Sequence, residues 1–181
     1  MRRTAETERM QTPMRKLIGR ASIGIIITFM LVITSVIATH FINGAGVAFV
    51  KGDSMNPTLE EDTLVLYAKT KEIERFDLVI ARDMRHDDIV VKRVIGLPGE
   101  DVAMIEGILY IDGREYDEPY LHDDRDEYRR EAHRIQLSDG EYYILGDNRD
   151  NSTDSRFIGP VGQDDIIGRV HRTFQIAGGA E

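Results

Sequence analysis

The sequence predicts a mainly β protein: an antiparallel β-sheet domain preceded by one N-terminal transmembrane helix. Three observations predict it. No Asp, Glu, Lys or Arg occurs between Ala21 and Val50, and the densest apolar part, Ile23 to Phe41, is about as long as a membrane-spanning helix requires. Beyond it come many short runs of β-branched and aromatic residues, bounded by Gly, Pro or Asp, with no long amphipathic helical pattern. Charge is also divided: residues 1–20 carry six Lys/Arg against two Glu, a net +4, whereas 43–181 carry 17 Lys/Arg against 30 Asp/Glu, a net −13.

The chain of 181 residues has room for one compact domain and a modest appendage. It has no cysteine, which excludes disulfides and thiolate metal sites, and its formal charge of −9 argues against a nucleic-acid binder. The expected divisions are a basic cytoplasmic tail over 1–20, a transmembrane helix over 21–42 and an extracytoplasmic domain over 43–181. Arg15, Lys16 and Arg20 flank the N-terminal side of the apolar run and place that side in the cytoplasm. A cleavable secretion signal is the rival reading. Its apolar region is normally shorter, about 7–15 residues, although Ala45-Gly46-Val47-Ala48 has the small residues of a cleavage site.

After the spacer Asn43–Gly46, strands are predicted in turn at 47–50, 63–67, 77–81, 89–95, 108–111, 141–145 and 168–174. Asp112-Gly113 is a turn, since this pair tolerates positive φ. Residues 114–134, the most charged stretch, read as an exposed insertion. His122 and His133 within it would be metal ligands only with partners that the sequence does not single out, and no metal or other cofactor is expected. The polar block from Gly146 to Gly159 follows a good strand, and loops held on rigid supports concentrate functional residues. A helix-flanked calcium loop does not fit it, because Arg149 occupies a position that needs an acidic or amide ligand.

Two residues suggest chemistry. Ser54 lies at a sharp turn, two residues after Gly52 and three before Pro57, where a hydroxyl can project into a groove. Serine needs a base within hydrogen-bond reach to act as a nucleophile. Lys92 is embedded among Val90, Val91, Val94 and Ile95. Burial among such side chains disfavours the ammonium and lowers a lysine pKa, as a general base at neutral pH requires. Strand alternation puts Lys92 and Val94 on one face and Arg93 on the other. Taken singly, an ordinary turn serine and a lysine reaching solvent from an edge strand account for both residues. The sequence around them supplies the stronger argument.

Ser54-Met55-Asn56-Pro57-Thr58-Leu59 resembles the S-M-x-P-T-L motif of type I signal peptidases, membrane-bound serine proteases with a Ser/Lys dyad. Lys92-Arg93-Val94-Ile95-Gly96-Leu97-Pro98-Gly99-Glu100 is similar to that family's K-R-V-x-G-x-P-G-D motif. Gly146-Asp147-Asn148, Ser152, Asp154-Ser155-Arg156 and Gly159 resemble its third motif, G-D-N-x-x-x-S-x-D-S-R-x-x-G. Asp117-Glu118-Pro119-Tyr120-Leu121 is similar to a further, less diagnostic family segment. Two departures stand out: Glu100 replaces the common Asp, and Arg75-Phe76-Asp77 stands where a Gly-Asp pair is frequent.

The resemblance implies a signal-peptidase-like β fold and an endopeptidase that removes signal peptides from exported preproteins, cutting after small residues at −3 and −1. Ser54 would be the nucleophile and neutral Lys92 the general base. Ser152 would hydrogen-bond Lys92, Asp154 and Arg156 would form a supporting ion pair, and the Ser54 backbone N–H would meet the oxyanion. Gly52 stands where some members add a serine hydroxyl and matches the short Gram-positive forms. Val50, Met55 and Val91 are the expected lining of the substrate groove. Implied partners are signal peptides, the lipid bilayer and the secretion translocon, with no nucleic acid. The alternatives are a dedicated pilin or pilus-assembly relative with a narrow substrate range, or with a non-proteolytic assembly role that the retention of Ser54 and Lys92 argues against, and a self-cleaving repressor-type protease. The latter needs a DNA-binding domain for which this chain has no room.

Overall fold

A computed structural model describes residues 23–39, 44–83, 88–121 and 133–175. The basic tail over 1–20 and the centre of the charged stretch, 122–132, lie outside them. The chain divides into two units, Met1–Asn43 and Gly44–Glu181. In the first, residues 23–39 form helix α1, whose apolar side chains are exposed along its length. Thr28, Thr34 and Thr39 turn their hydroxyls back onto the carbonyls of Gly24, Met30 and Ser35, so these polar groups are satisfied within the helix. At 1.5 Å per residue, 17 helical residues rise only about 25 Å. No helix among the described residues is long and apolar enough to cross a membrane.

The second unit is mainly antiparallel β. Its strands are β1 Ala45–Phe49, β2 Thr63–Ala68, β3 Leu78–Asp83, β4 Asp88–Gly96, β5 Asp101–Ile105, β6 Ile108–Ile111, β7 Arg114–Tyr116, β8 His133–Gln136, β9 Glu141–Leu145, β10 Val161–Gly162 and β11 Ile166–Gln175; a single helical turn, α2, spans Ser155–Ile158. One sheet runs β1-β2-β11-β3-β4-β9-β10 and a smaller one β7-β6-β5-β8. The last strand, β11, inserts between β2 and β3, so the two ends of the unit close the same sheet.

The core explains this order. Val79, Ala81, Val94, Tyr142, Ile144 and Ile166 are buried together in one cluster; Ile95, Tyr143 and Leu145 join Val102, Met104, Leu109 and Leu137 in a second. Successive residues of β4 and β9 therefore enter different clusters, which makes these two strands central and apolar on both faces. A third cluster of Val50, Met55, Leu59, Val65 and Ile80 lies under the loop between β1 and β2. Rigid strands thus support residues from all three motifs.

Each predicted strand is present within a few residues, and Asp112 and Gly113 both take positive φ, 49° and 75°, in the turn from β6 to β7. The sequence reading missed β5, β7, β8 and β10. Asp101-Val-Ala-Met-Ile lacks β-branched density, β7 and β8 are largely polar edge strands, and β10 has two residues. The charged stretch also needs correction. Its described flanks contain β7 and the start of β8, and Glu118 and Leu121 are buried, so these parts belong to the fold and are not an exposed insertion.

Gly96, in the second motif, marks the close packing where β4 passes between clusters. A Cβ there would lie 2.4 Å from Val102 Cγ2 and 2.7 Å from Leu137 Cδ1. Both are buried side chains with little room to yield. Gly96→Ala is expected to destabilise the domain by about 1–3 kcal/mol, the usual cost of overpacking, read as a lower urea midpoint at unchanged slope.

Candidate active site

The loop from Val50 to Asp62 is pinned at its base, where Val50 N–H donates to Thr63 O and Asp62 N–H to Val50 O, both at 2.9 Å. Gly52 turns the chain with φ 73°, a conformation that favours glycine, and its N–H donates to Glu61 Oε1 at 3.2 Å. Met55 is sealed into the cluster beneath, and the next bend leaves Ser54 between core and surface.

Lys92 comes from the middle of β4, opposite Val79 of β3. It is 3% exposed, and its Nζ donates to Ser54 Oγ at 2.7 Å. Burial holds the Lys92 pKa below the ordinary lysine value and is the largest influence on it; Asp154 pulls the other way and Arg156 adds to the lowering. Arg93 points to the opposite face, as strand alternation predicts. Its Nε and Nη2 grip the Asp147 carboxylate at 2.8 and 2.5 Å, while its other bonds reach Phe76 O and Thr58 Oγ1.

The third motif wraps over the serine loop. Asn148 N–H donates to Ser54 O at 3.0 Å, Asn148 Nδ2 to Asp53 O at 3.2 Å and Asn151 Nδ2 to Asp53 Oδ1 at 2.8 Å. Asp154 is fully buried: it accepts two bonds of 2.7 Å from Arg156, one from Gly146 N–H, and caps α2. The expected ion pair is therefore formed. Ser152 differs from expectation. Its hydroxyl is buried close to Gly146 but has no hydrogen-bond partner among the described residues, so the expected bond to Lys92 is not made in this geometry.

Val50 and Met55 are 4% and 1% exposed, and Val91 packs half-buried against their cluster. The three residues named for the groove are neighbours, but only Val91 keeps substantial surface; Val50 and Met55 lie in the core beneath. The Ser54 N–H makes no hydrogen bond to any described residue. Among the described residues there is no group of three or more His, Cys, Asp or Glu that could hold a metal.

Several supporting residues escaped sequence reasoning. Ser155 Oγ accepts Ile144 N–H at 2.9 Å, replacing a ladder bond next to the short strand β10. The two departures from the family pattern turn out to be partners: Arg75 Nη1 and Nη2 donate to Glu100 Oε2 and Oε1, Nη1 also reaches Ile95 O, and Leu97 N–H donates to Glu100 Oε2. Phe76 has φ 70°, which gives a physical reason for a glycine at this place elsewhere in the family. Its ring is held by Tyr116 and Tyr120.

Two measurements follow from this geometry. A Cβ on Gly146 would sit 2.2 Å from Ser152 Oγ and 2.5 Å from the Ser54 carbonyl oxygen. Gly146→Ala is expected to cut peptidase turnover about a hundredfold, since displacements near 1 Å can cost that much, with the folded fraction little changed by circular dichroism. For the Arg75–Glu100 pair, a double-mutant cycle with alanine should give a coupling of about 1–3 kcal/mol in urea melts; a coupling near zero would assign the pair no structural role.

Residues 20–174 match the family described as signal peptidase, peptidase S26. The chain is 35% identical over 136 residues to signal peptidase I U of Bacillus subtilis strain 168, covering 69% of this chain and 73% of that protein. It is 34% identical over 144 residues to signal peptidase IB of Staphylococcus aureus strain Mu50, covering 69% and 75%. A crystal structure of a signal peptidase I from Enterococcus faecalis V583 superposes with a TM-score of 0.52 at 32% identity, covering 57% of this chain and all of that one. The match spans the serine loop, β4 and the polar loop described above, and this chain belongs to the S26 signal peptidase family, a serine peptidase and hydrolase with the antiparallel β fold of signal peptidase I.

Proposed function

We propose that this protein is a membrane-anchored endopeptidase that removes signal peptides from exported preproteins, with Ser54 as nucleophile and Lys92 as general base. The 2.7 Å contact between Lys92 Nζ and Ser54 Oγ carries the reading. In the neutral amine the nitrogen lone pair accepts the Ser54 proton as Oγ attacks the scissile carbonyl. The oxyanion is met by the Ser54 N–H, which is unpaired among the described residues. The ammonium of Lys92 then returns the proton to the leaving amine, the new N-terminus departs, and the signal peptide stays esterified to Ser54. Lys92 next takes a proton from water as its oxygen attacks the ester, and collapse of the intermediate frees the signal peptide with a carboxyl end while Lys92 returns the proton to Ser54 Oγ.

Substrate geometry follows from the edges of the large sheet. Among the described residues β1 pairs only with β2, leaving an edge beside the serine loop where an extended chain adds a strand by main-chain hydrogen bonds. Such bonds ignore side chains, so selection of small residues at −3 and −1 falls to the groove around Val91 over the Val50 and Met55 floor. Gly52 leaves the oxyanion to backbone donors. Asp154 and Arg156, whose ion pair acts electrostatically on Lys92, are positioning residues behind it.

The anchor is residues 21–42, crossing the bilayer with the basic tail in the cytoplasm and the catalytic domain outside. The uncharged run and the internally satisfied threonines of α1 support this. Confinement at the membrane raises the effective concentration of enzyme where signal peptides emerge, which also makes the lipid bilayer and the secretion translocon its neighbours. A relative dedicated to pilins shares this chemistry and differs in substrate range.

Ser54→Ala and Lys92→Ala are each expected to lower preprotein cleavage by about a thousandfold or more, scored by loss of precursor on gels; wild-type rates in either would overturn the dyad. The pH dependence has a definite sign. Protonated Lys92 cannot accept the serine proton, so kcat/KM falls as pH drops through the lowered Lys92 pKa and reaches its plateau below the ordinary lysine pKa of about 10.4. Stability moves in the same direction. The unfolded lysine binds a proton that the folded one releases, so wild-type stability rises with pH between the lowered value and that ordinary one, and Lys92→Met removes this rise.

A further inference from the structure

The segment between β7 and Leu121 holds residues of two motifs, Arg93 on β4 and Arg149 in the polar loop. Glu118 and Arg149 form a forked ion pair whose side chains are 4% and 2% exposed. Arg149 Nε also donates to Gly146 O at 3.1 Å. The Tyr120 hydroxyl donates to Glu118 Oε1 at 2.7 Å, and the face of its ring lies 4.0 Å beneath the Arg93 guanidinium. One tyrosine therefore bridges two buried cations. Arg149 is tied to the loop that caps Ser54; Arg93 is the neighbour of Lys92 and grips Asp147, between Gly146 and Asn148.

We infer that Tyr120 and Glu118 are positioning residues for peptide cleavage: they fix the Gly146–Asn148 backbone against the Ser54 carbonyl through Arg93 and Arg149, and so set the alignment of Ser54 with Lys92. The physical argument is one of charge and shape. A guanidinium stacked on a ring and forked onto a carboxylate has a single favoured orientation. Arg93 is such a group, and Arg149 is forked onto the same Glu118 carboxylate that the Tyr120 hydroxyl bonds, so one side chain braces both ends of the loop between them. Removing the ring leaves Arg93 its bonds to Asp147, Phe76 O and Thr58 Oγ1 but takes away the face that sets its tilt, and the Asn148 N–H bond to Ser54 O loosens with Asp147. Burial alone would be served by any apolar side chain at 120. The hydroxyl donated into a buried ion pair and the ring under a guanidinium are the features that leucine cannot supply.

This inference rests on the signal peptidase reading, so its test has one arm without catalysis. In the full-length enzyme, Tyr120→Leu and Tyr120→Phe are compared with wild type and Ser54→Ala; Glu118→Gln serves as a second probe of the same brace. Tyr120→Leu is expected to accelerate amide hydrogen exchange at Asn148 about tenfold or more while exchange in β4 and β9 stays slow. Its kcat falls by about ten- to a hundredfold with KM within about twofold, and Tyr120→Phe, which keeps the ring on Arg93, recovers most of the loss. Unchanged Asn148 exchange in Tyr120→Leu overturns the inference whatever the enzyme cleaves. So does equal impairment of the Leu and Phe variants, or a kcat loss that only follows the unfolded fraction in thermal melts. A wild-type enzyme that cleaves no preprotein overturns the functional reading instead, and the exchange arm still decides the role of Tyr120.

Discussion

An amine almost wholly removed from water, in contact with a hydroxyl, is the constraint on which this structure turns. Burying an ammonium is costly by several kcal/mol, and a protein relieves that cost by releasing the proton. The Lys92 Nζ bonds to a hydroxyl, Ser54 Oγ; the carboxylate that raises its pKa most, Asp154, is committed to Arg156 and Gly146. Desolvation therefore prevails over attraction, and the pKa moves down. A free carboxylate in place of Ser54 would reverse the outcome and keep the lysine charged.

Around this pair the fold keeps its charges in closed circuits. Arg93 with Asp147, Arg149 with Glu118 and Arg156 with Asp154 are each forked and buried or nearly so. Buried pairs contribute little net stability, because desolvation of both ions offsets their attraction. Their effect is geometric. Each one ties a residue of the polar loop, at 147, 149 and 156 or 154, to a strand, a neighbouring segment or itself, and the loop carries Asn148 onto the Ser54 carbonyl. A loop rich in turn formers thereby acquires the rigidity of the sheet beneath it.

Much of this was legible in the sequence, and unevenly so. Alternation along β4 revealed that Lys92 and Arg93 face opposite ways, and the Ser54, Lys92 and Gly146 motifs meet in space as their resemblance to a family implies. Contacts between distant polar residues were not legible. Nothing in the local pattern at Glu118 distinguishes a buried ion pair from a solvated loop, because burial of a charge depends on a partner 31 positions away. For the same reason Arg75 and Glu100 looked like two separate departures, when each is the other's counter-ion. Ser152 shows the converse limit: the resemblance implies a bond to Lys92, whereas its hydroxyl lies beside Gly146 with no partner among the described residues. The apolar run before Val50 is plain in the sequence, whereas the described part of α1 covers 17 residues of it.

The central claim is best tested at Lys92 itself, by following its side-chain nitrogen resonance across a pH titration of the folded enzyme with selectively labelled lysine. The account predicts a signal, absent in Lys92→Met, that loses its proton well below the other lysines of the chain. A Lys92 resonance that titrates with the solvent-exposed lysines, near the ordinary value of about 10.4, would contradict it.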